Sequence, residues 1–185
     1  MDYVWYASYG SNINRDRFYK YITGGRAEGC NKVEVGCTNK ELPIREVGII
    51  LKHQLIFAEK SERWNGGVAF LNPKIDEDEN TIGRMYLIEL EQFKEIVQQE
   101  NNLVLDKNVW FEFEGIKENS SLKIVDSEYG RVMRLSDYDN YPVYTFTTIK
   151  DVEDLSICEP SKEYLEVINK GKRDAFKSGA NVIVL

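Results

Sequence analysis

Apolar positions along the chain fall in short blocks separated by glycine and polar residues. Tyr3-Val-Trp-Tyr-Ala7 is unbroken and aromatic, and a turn at Gly10 follows it, so it predicts a buried strand. After Gly10-Ser11-Asn12 the period changes. Phe18, Tyr21 and Ile22 stand at i, i+3 and i+4, which predicts one apolar face of a helix, with Asn12 or Asn14 able to cap it. The opening unit is therefore strand, tight glycine turn, helix. From Gly24-Gly25 to the neighbourhood of Pro43 the pattern is glycine-rich and irregular.

Further β-branched and aromatic blocks predict strands at Gly48 to Ala58, Gly67 to Leu71, Gly83 to Ile88, Val109 to Glu114, Leu122 to Val125, Arg131 to Leu135 and Val143 to Ile149. Two more helices are predicted, Glu89 to Glu100 and Ser161 to Phe176, the second introduced by Pro160 with Ser161 as its cap. Many strands with three helices predict an α+β fold, a small mixed barrel or curved sheet with flanking helices. No repeat and no Pro/Gly/Ser linker divides residues 1–185, so a single domain is expected.

Composition narrows the function. The 185 residues are 42% apolar, and 24 basic against 31 acidic side chains give a net charge of −7. That balance argues against a nucleic-acid partner, which selects for a basic face. No run approaches a membrane span, and Met1-Asp-Tyr-Val-Trp-Tyr6 lacks the regions of a secretory signal. Cys30, Cys37 and Cys158 form no C-x-x-C pair, so reduced, packed thiols in a cytoplasm are expected. His53 is the single histidine, which excludes a His-rich zinc site, and it begins the apolar run to Ala58, which favours a structural role. The acidic patch Asp76-Glu-Asp-Glu79 is expected to be a solvated loop. No metal is expected at that patch, and no nucleotide cofactor is expected, because the glycine spacings of phosphate and dinucleotide loops are missing.

One carboxylate stands out. Leu90, Phe93, Ile96 and Val97 make the stripe of the second helix, and Glu100 follows Ile96 by four and Val97 by three. Burial there disfavours the anion, and so does the negative end of the helix dipole. A glutamate placed against stability in this way is a candidate proton-transfer group. A frayed helix end with Glu100 in solvent is the bland alternative. In the first turn, Tyr9-Gly-Ser-Asn12, a glycine between strand and helix admits a ligand close to backbone N–H groups. A purely structural turn fits the same pattern.

Several motifs together resemble the γ-glutamylcyclotransferase family. Tyr6-Ala-Ser-Tyr-Gly-Ser-Asn12 is similar to its opening [YF]-x-x-Y-G-S-N signature. Trp64-Asn-Gly-Gly-Val-Ala-Phe70 resembles its W-x-G-G strand entry, and Gly83-Arg-Met-Tyr-Leu-Ile-Glu-Leu90 its strand before the central helix. Gln99-Glu100 falls where that helix ends in the family's catalytic glutamate. Val143-Tyr-Thr-Phe146 is similar to a later strand with a site tyrosine, and Pro160-Ser-Lys-Glu-Tyr164, with Ile168 and Gly171, to the C-terminal helix. The motifs occur in family order over nearly the whole chain. Besides the glycine-rich segment around Gly24-Gly25 and the Cys30 to Pro43 insertion, two features depart from the pattern. Asn101 stands where the family has glycine, a turn asparagine can keep because it tolerates the left-handed conformation. The stretch from Asn102 to Val109 is longer than usual, so Trp110 is the candidate for the family's pocket tyrosine there.

The resemblance implies an enzyme that cleaves a γ-glutamyl amide by internal attack, releasing 5-oxoproline and a free amine or amino acid. It implies Glu100 as general acid/base, and Tyr9, Gly10, Ser11, Asn12, Tyr144 and Tyr164 as substrate-binding residues, with a small-molecule partner, no membrane and no cofactor. Arg26 is a further candidate for a substrate carboxylate. Two other readings stay open: a non-catalytic metabolite-binding or interaction protein of the same fold, and a transferase of γ-glutamyl groups.

Overall fold

In the computed structural model, the described residues are 2–27, 32–105, 115–176 and 183–185. Eleven strands and three α-helices are described there. The strands are β1 Tyr3–Ser8, β2 Gly25–Arg26, β3 Val33–Glu34, β4 Arg45–Leu51, β5 His53–Ser61, β6 Gly66–Ile75, β7 Thr81–Glu89, β8 Ser120–Lys123, β9 Arg131–Tyr138, β10 Tyr141–Thr147 and β11 Ile183–Val184. The helices are α1 Arg15–Thr23, α2 Leu90–Glu100 and α3 Lys162–Ala175. Seven strands form one sheet in the order β11-β4-β7-β1-β10-β9-β8. β1 runs parallel to β10 and antiparallel to β7. The sheet curls into a half-barrel, and β5 with β6 forms a separate hairpin. The architecture is α+β, as the pattern predicts.

Alternation along the central strands creates two cores. Trp5 and Ala7 of β1, with Met85 and Leu87 of β7, face a cluster that Phe70 of β6 and Ile168 of α3 complete. Val4 and Tyr6, with Tyr86 and Ile88, face the opposite cluster, filled by Phe18 and Ile22 of α1 and by Phe93, Ile96 and Val97 of α2. Period two in the strands and 3.6 in the helices thus assign each apolar block to one face.

The first turn shows why the chain folds locally as it does. Asn14 caps α1 by accepting from Arg17 N–H at 3.3 Å, while Ser11–Ile13 forms a 3₁₀ turn ahead of it. α3 lies directly on this turn. A Cβ at Gly171 would sit 2.5 Å from Asn14 N, so only glycine allows that approach. Ser161 caps α3 through a bond from Tyr164 N–H at 3.2 Å.

Two expectations change. The run from Gly48 to Ala58 is not one strand. It breaks at Lys52 into β4, in the large sheet, and β5, in the hairpin. No turn residue marks the break, because the Lys52 N–H is met by Leu185 O at 2.8 Å rather than by a local turn. The irregular region after Gly24 contains the short ribbon β2–β3. The strand expected at Val109 to Glu114 lies outside the described residues. His53 is buried with Nδ1 2.8 Å from Asn72 O, a structural role as expected, and burial lowers its pKa. Asp76, Glu77 and Asp78 are exposed.

Candidate active site

Where the C-terminal end of β1 meets the C-terminal end of α2, a cavity of about 220 Å³ opens. Tyr9, Gly10, Ser11 and Asn12 line it from the first turn, Glu100 from the end of α2 and Tyr164 from α3. Six of the seven predicted site residues therefore share one cavity. Gly10 packs tightly here: a Cβ there would lie 3.2 Å from Tyr164 Oη and 3.4 Å from Ala69 Cβ.

Glu100 is half-buried, and Asn12 reaches it directly. Asn12 Nδ2 donates to Glu100 Oε1 at 2.7 Å and to Tyr6 Oη at 3.2 Å. Asn12 Oδ1 is buried and has no hydrogen-bond partner. Burial raises the Tyr6 phenol well above its ordinary value, and the charge of Glu100 adds to this. Tyr164 is 2% exposed and its oxygen accepts from Ala69 N–H at 3.2 Å. Burial pushes its pKa up to about 12, partly offset by the Ala69 N–H and the Arg17 cation. Both phenols are protonated at neutral pH. Tyr9 donates its hydroxyl to Phe146 O at 2.7 Å and belongs to the first core as well as the cavity wall.

Tyr144 is a correction. It lies in the second core, stacked on Phe93 at 5.8 Å, and borders a separate groove with Tyr3 and Arg134. Phe146, two residues on and on the same strand face, lines the cavity instead. That spacing moves a side chain about 7 Å along a strand. Arg26 is exposed on β2 and is not among the cavity residues. Trp110 and Cys30 lie outside the described residues. Cys37 is a packed thiol: it donates to Tyr21 O at 3.2 Å, and burial pushes its pKa up.

Asn101 does not adopt the left-handed conformation expected of it. Its φ is −91°, and Asn102 takes the left-handed place with φ 53°. The Asn101 side chain instead clasps the backbone of Tyr129, accepting from its N–H at 3.0 Å and donating to its carbonyl at 3.2 Å. Tyr129 lines the cavity and donates its hydroxyl to Ala69 O at 3.2 Å. Glu128 beside it is raised in pKa, by burial first and then by the charges of Glu59 and Glu100.

A basic wall faces these acids. Arg17 is 4% exposed, bonds Ser11 Oγ at 2.9 Å and Tyr21 Oη at 3.1 Å, and stacks 5.3 Å from the Trp64 ring. Arg63 lies 5.6 Å from the same ring and pairs with Glu34 at 3.0 Å. Sequence reasoning passes over Arg17, although its i, i+4 relation to Tyr21 places it on the buried face of α1. Among the described residues, no group of three or more His, Cys, Asp or Glu side chains is placed to hold a metal ion, and no helix is long and apolar enough to cross a membrane.

Solved structures share this architecture. One titled γ-glutamyl cyclotransferase superposes with a TM-score of 0.57 at 12% identity, covering 96% of this chain and 82% of that one. An uncharacterized protein from Homo sapiens superposes with a TM-score of 0.55 at 13% identity, covering 96% and 83%. The chain therefore has the γ-glutamyl cyclotransferase fold. No protein-family model matches it. In sequence it is 35% identical over 187 residues to a protein named histone deacetylase 5 from Arabidopsis thaliana, covering 91% of this chain. The chain spans 28% of that protein's length, and the name describes the whole plant protein.

Proposed function

We propose that the protein is a γ-glutamylcyclotransferase-like enzyme whose general acid/base is Glu100. The observation that carries this reading is the 2.7 Å bond from Asn12 to Glu100, which holds a helix-end carboxylate in the same cavity as the Gly10–Ser11 turn. The reaction is intramolecular, so the protein needs to orient rather than attack. A correctly held near-attack conformer is worth roughly 7–11 kcal/mol.

In this reading Glu100 takes a proton from the substrate's α-ammonium. The freed lone pair bonds the γ-carbon and closes a five-membered ring. The bond to the leaving nitrogen breaks as that nitrogen takes the proton from Glu100. The excess proton on the ring nitrogen then passes through Glu100 to water, leaving 5-oxoproline and a free amine. Tyr164, whose oxygen already accepts from Ala69 N–H, directs its hydroxyl hydrogen to the developing oxyanion. Arg63 and Lys32 on the cavity wall favour a leaving group that carries a carboxylate over a cationic one.

The test is 5-oxoproline release from a panel of γ-glutamyl amino acids, peptides and amines, with an acetyl-lysine peptide as control. Wild type is expected to release 5-oxoproline, and Glu100→Gln to be slower by about 10²–10⁴-fold. Equal release from the two proteins removes Glu100 from the mechanism. No release from any member leaves the cavity as a binding site without turnover.

A further inference from the structure

Asn12 has more bonding capacity than its protein partners use. A carboxamide offers two donors and one oxygen acceptor. Nδ2 spends its hydrogens on Glu100 Oε1 at 2.7 Å and Tyr6 Oη at 3.2 Å. Oδ1 is buried with no partner, on a residue that is 5% exposed and lines the cavity. A flipped amide is no remedy, because it would set Oδ1 against the Glu100 carboxylate, acceptor to acceptor. Buried acceptors in native proteins are nearly always satisfied. A ligand that brings an N–H or O–H beside Glu100 would satisfy Oδ1.

We infer that Asn12 Oδ1 is the acceptor for the α-amino nitrogen of the substrate, and then for the ring N–H of 5-oxoproline. This rests on the γ-glutamyl reading above and adds to it. Glu100 exchanges the protons that the nitrogen loses. Asn12 holds the hydrogen that it keeps, which fixes the nitrogen's lone pair while the ring closes. One side chain thus orients both partners: its amide hydrogens fix the carboxylate and its oxygen fixes the amine. Asn12 becomes a substrate-contacting residue whose signature is recognition of N–H rather than charge.

The probes are 5-oxoproline and its ring-oxygen analogue, the five-membered lactone carboxylate, which has the same shape without the N–H. Calorimetry on wild type is expected to give at least tenfold tighter binding of the lactam. Asn12→Ala is expected to bind the two rings equally, with Asn12→Leu as the near-isosteric second variant should alanine destabilise the turn. Glu100→Gln is expected to keep the preference. Equal binding of the rings by wild type, or no binding of either, overturns the inference. So does a preference that survives loss of Asn12, or one that disappears in Glu100→Gln alone. If the substrate panel yields no 5-oxoproline, the proposed reaction fails. If it yields 5-oxoproline but the lactam preference is absent, only the Asn12 contact fails.

Discussion

At its N-terminal end, α2 is built for stability. Leu90 N–H reaches Asp2 O at 2.9 Å. Gln92 accepts from Glu89 N–H at 3.1 Å and donates to Asn39 O at 3.1 Å and Glu41 O at 2.8 Å. Glu89 and Glu91 there sit at the positive end of the helix dipole. The other end inverts this arrangement. Glu100 occupies the last turn, which holds no basic residue, and Asn101 closes that end with its backbone N–H and side-chain Nδ2 on Val97 O, at 3.2 and 2.9 Å, while the same side chain holds the Tyr129 backbone. The same residue type is used in two ways within one helix. A glutamate at the start strengthens the element, whereas a glutamate at the end is held in place by its neighbours at the element's expense. Positions where the chain works against local stability are where function is expected.

Exchanging the two glutamates tests this comparison with the largest effect. Glu100→Gln is expected to slow 5-oxoproline release by about 10²–10⁴-fold with the fold intact, while Glu89→Gln leaves turnover per folded molecule unchanged. Removing the hydroxyl opposite Glu100 comes next. Tyr164→Phe keeps the ring packed on Trp64, 4.7 Å away, and is expected to cost about 10²–10³-fold in kcat. Asn101→Ala orphans the Tyr129 backbone, which chemical denaturation should read as a loss of about 1–3 kcal/mol, with a raised KM because Tyr129 lines the cavity. Gln92→Ala at the opposite end is expected to lower stability by about 1 kcal/mol and leave kcat and KM alone.

The smallest effect is one of pH. Burial raises Glu128, so the folded protein holds that proton more tightly than the unfolded chain. Its contribution to stability is fully present below the ordinary carboxylate range and is lost as pH rises through the folded value. Glu128→Gln should therefore gain on wild type in urea unfolding as pH goes from acid to neutral. A constant difference across that range would place Glu128 in solvent.

The strands and helices were legible because their signals are local. Trp5 and Tyr6, side by side, face opposite clusters as alternation requires, and Phe18, Tyr21 and Ile22 share a helix face. Glu100 was legible because it extends an apolar stripe. Tyr144 misled, since on a strand the face is readable but the level along the sheet is not, and Phe146 is the residue at cavity level. Tyr129 and Glu128 carry no pattern at all. They reach the cavity from the turn before β9, where Asn101 fixes Tyr129 through a bond 28 positions distant in sequence. Arg17 follows Arg15 and Asp16, a polar stretch that reads as a solvated face, yet its stem is buried and its guanidinium stacks on Trp64. Side chains supplied by tertiary proximity are the part that periodicity cannot assign.

The most direct measurement is a structure of the slowed Glu100→Gln protein with a γ-glutamyl amino acid bound. The account predicts the substrate's α-amino nitrogen about 2.6–3.2 Å from the residue-100 side chain, with the γ-carbonyl turned toward the Tyr164 hydroxyl. A substrate seated outside this cavity, or inside it with its amine turned away from position 100, would contradict it.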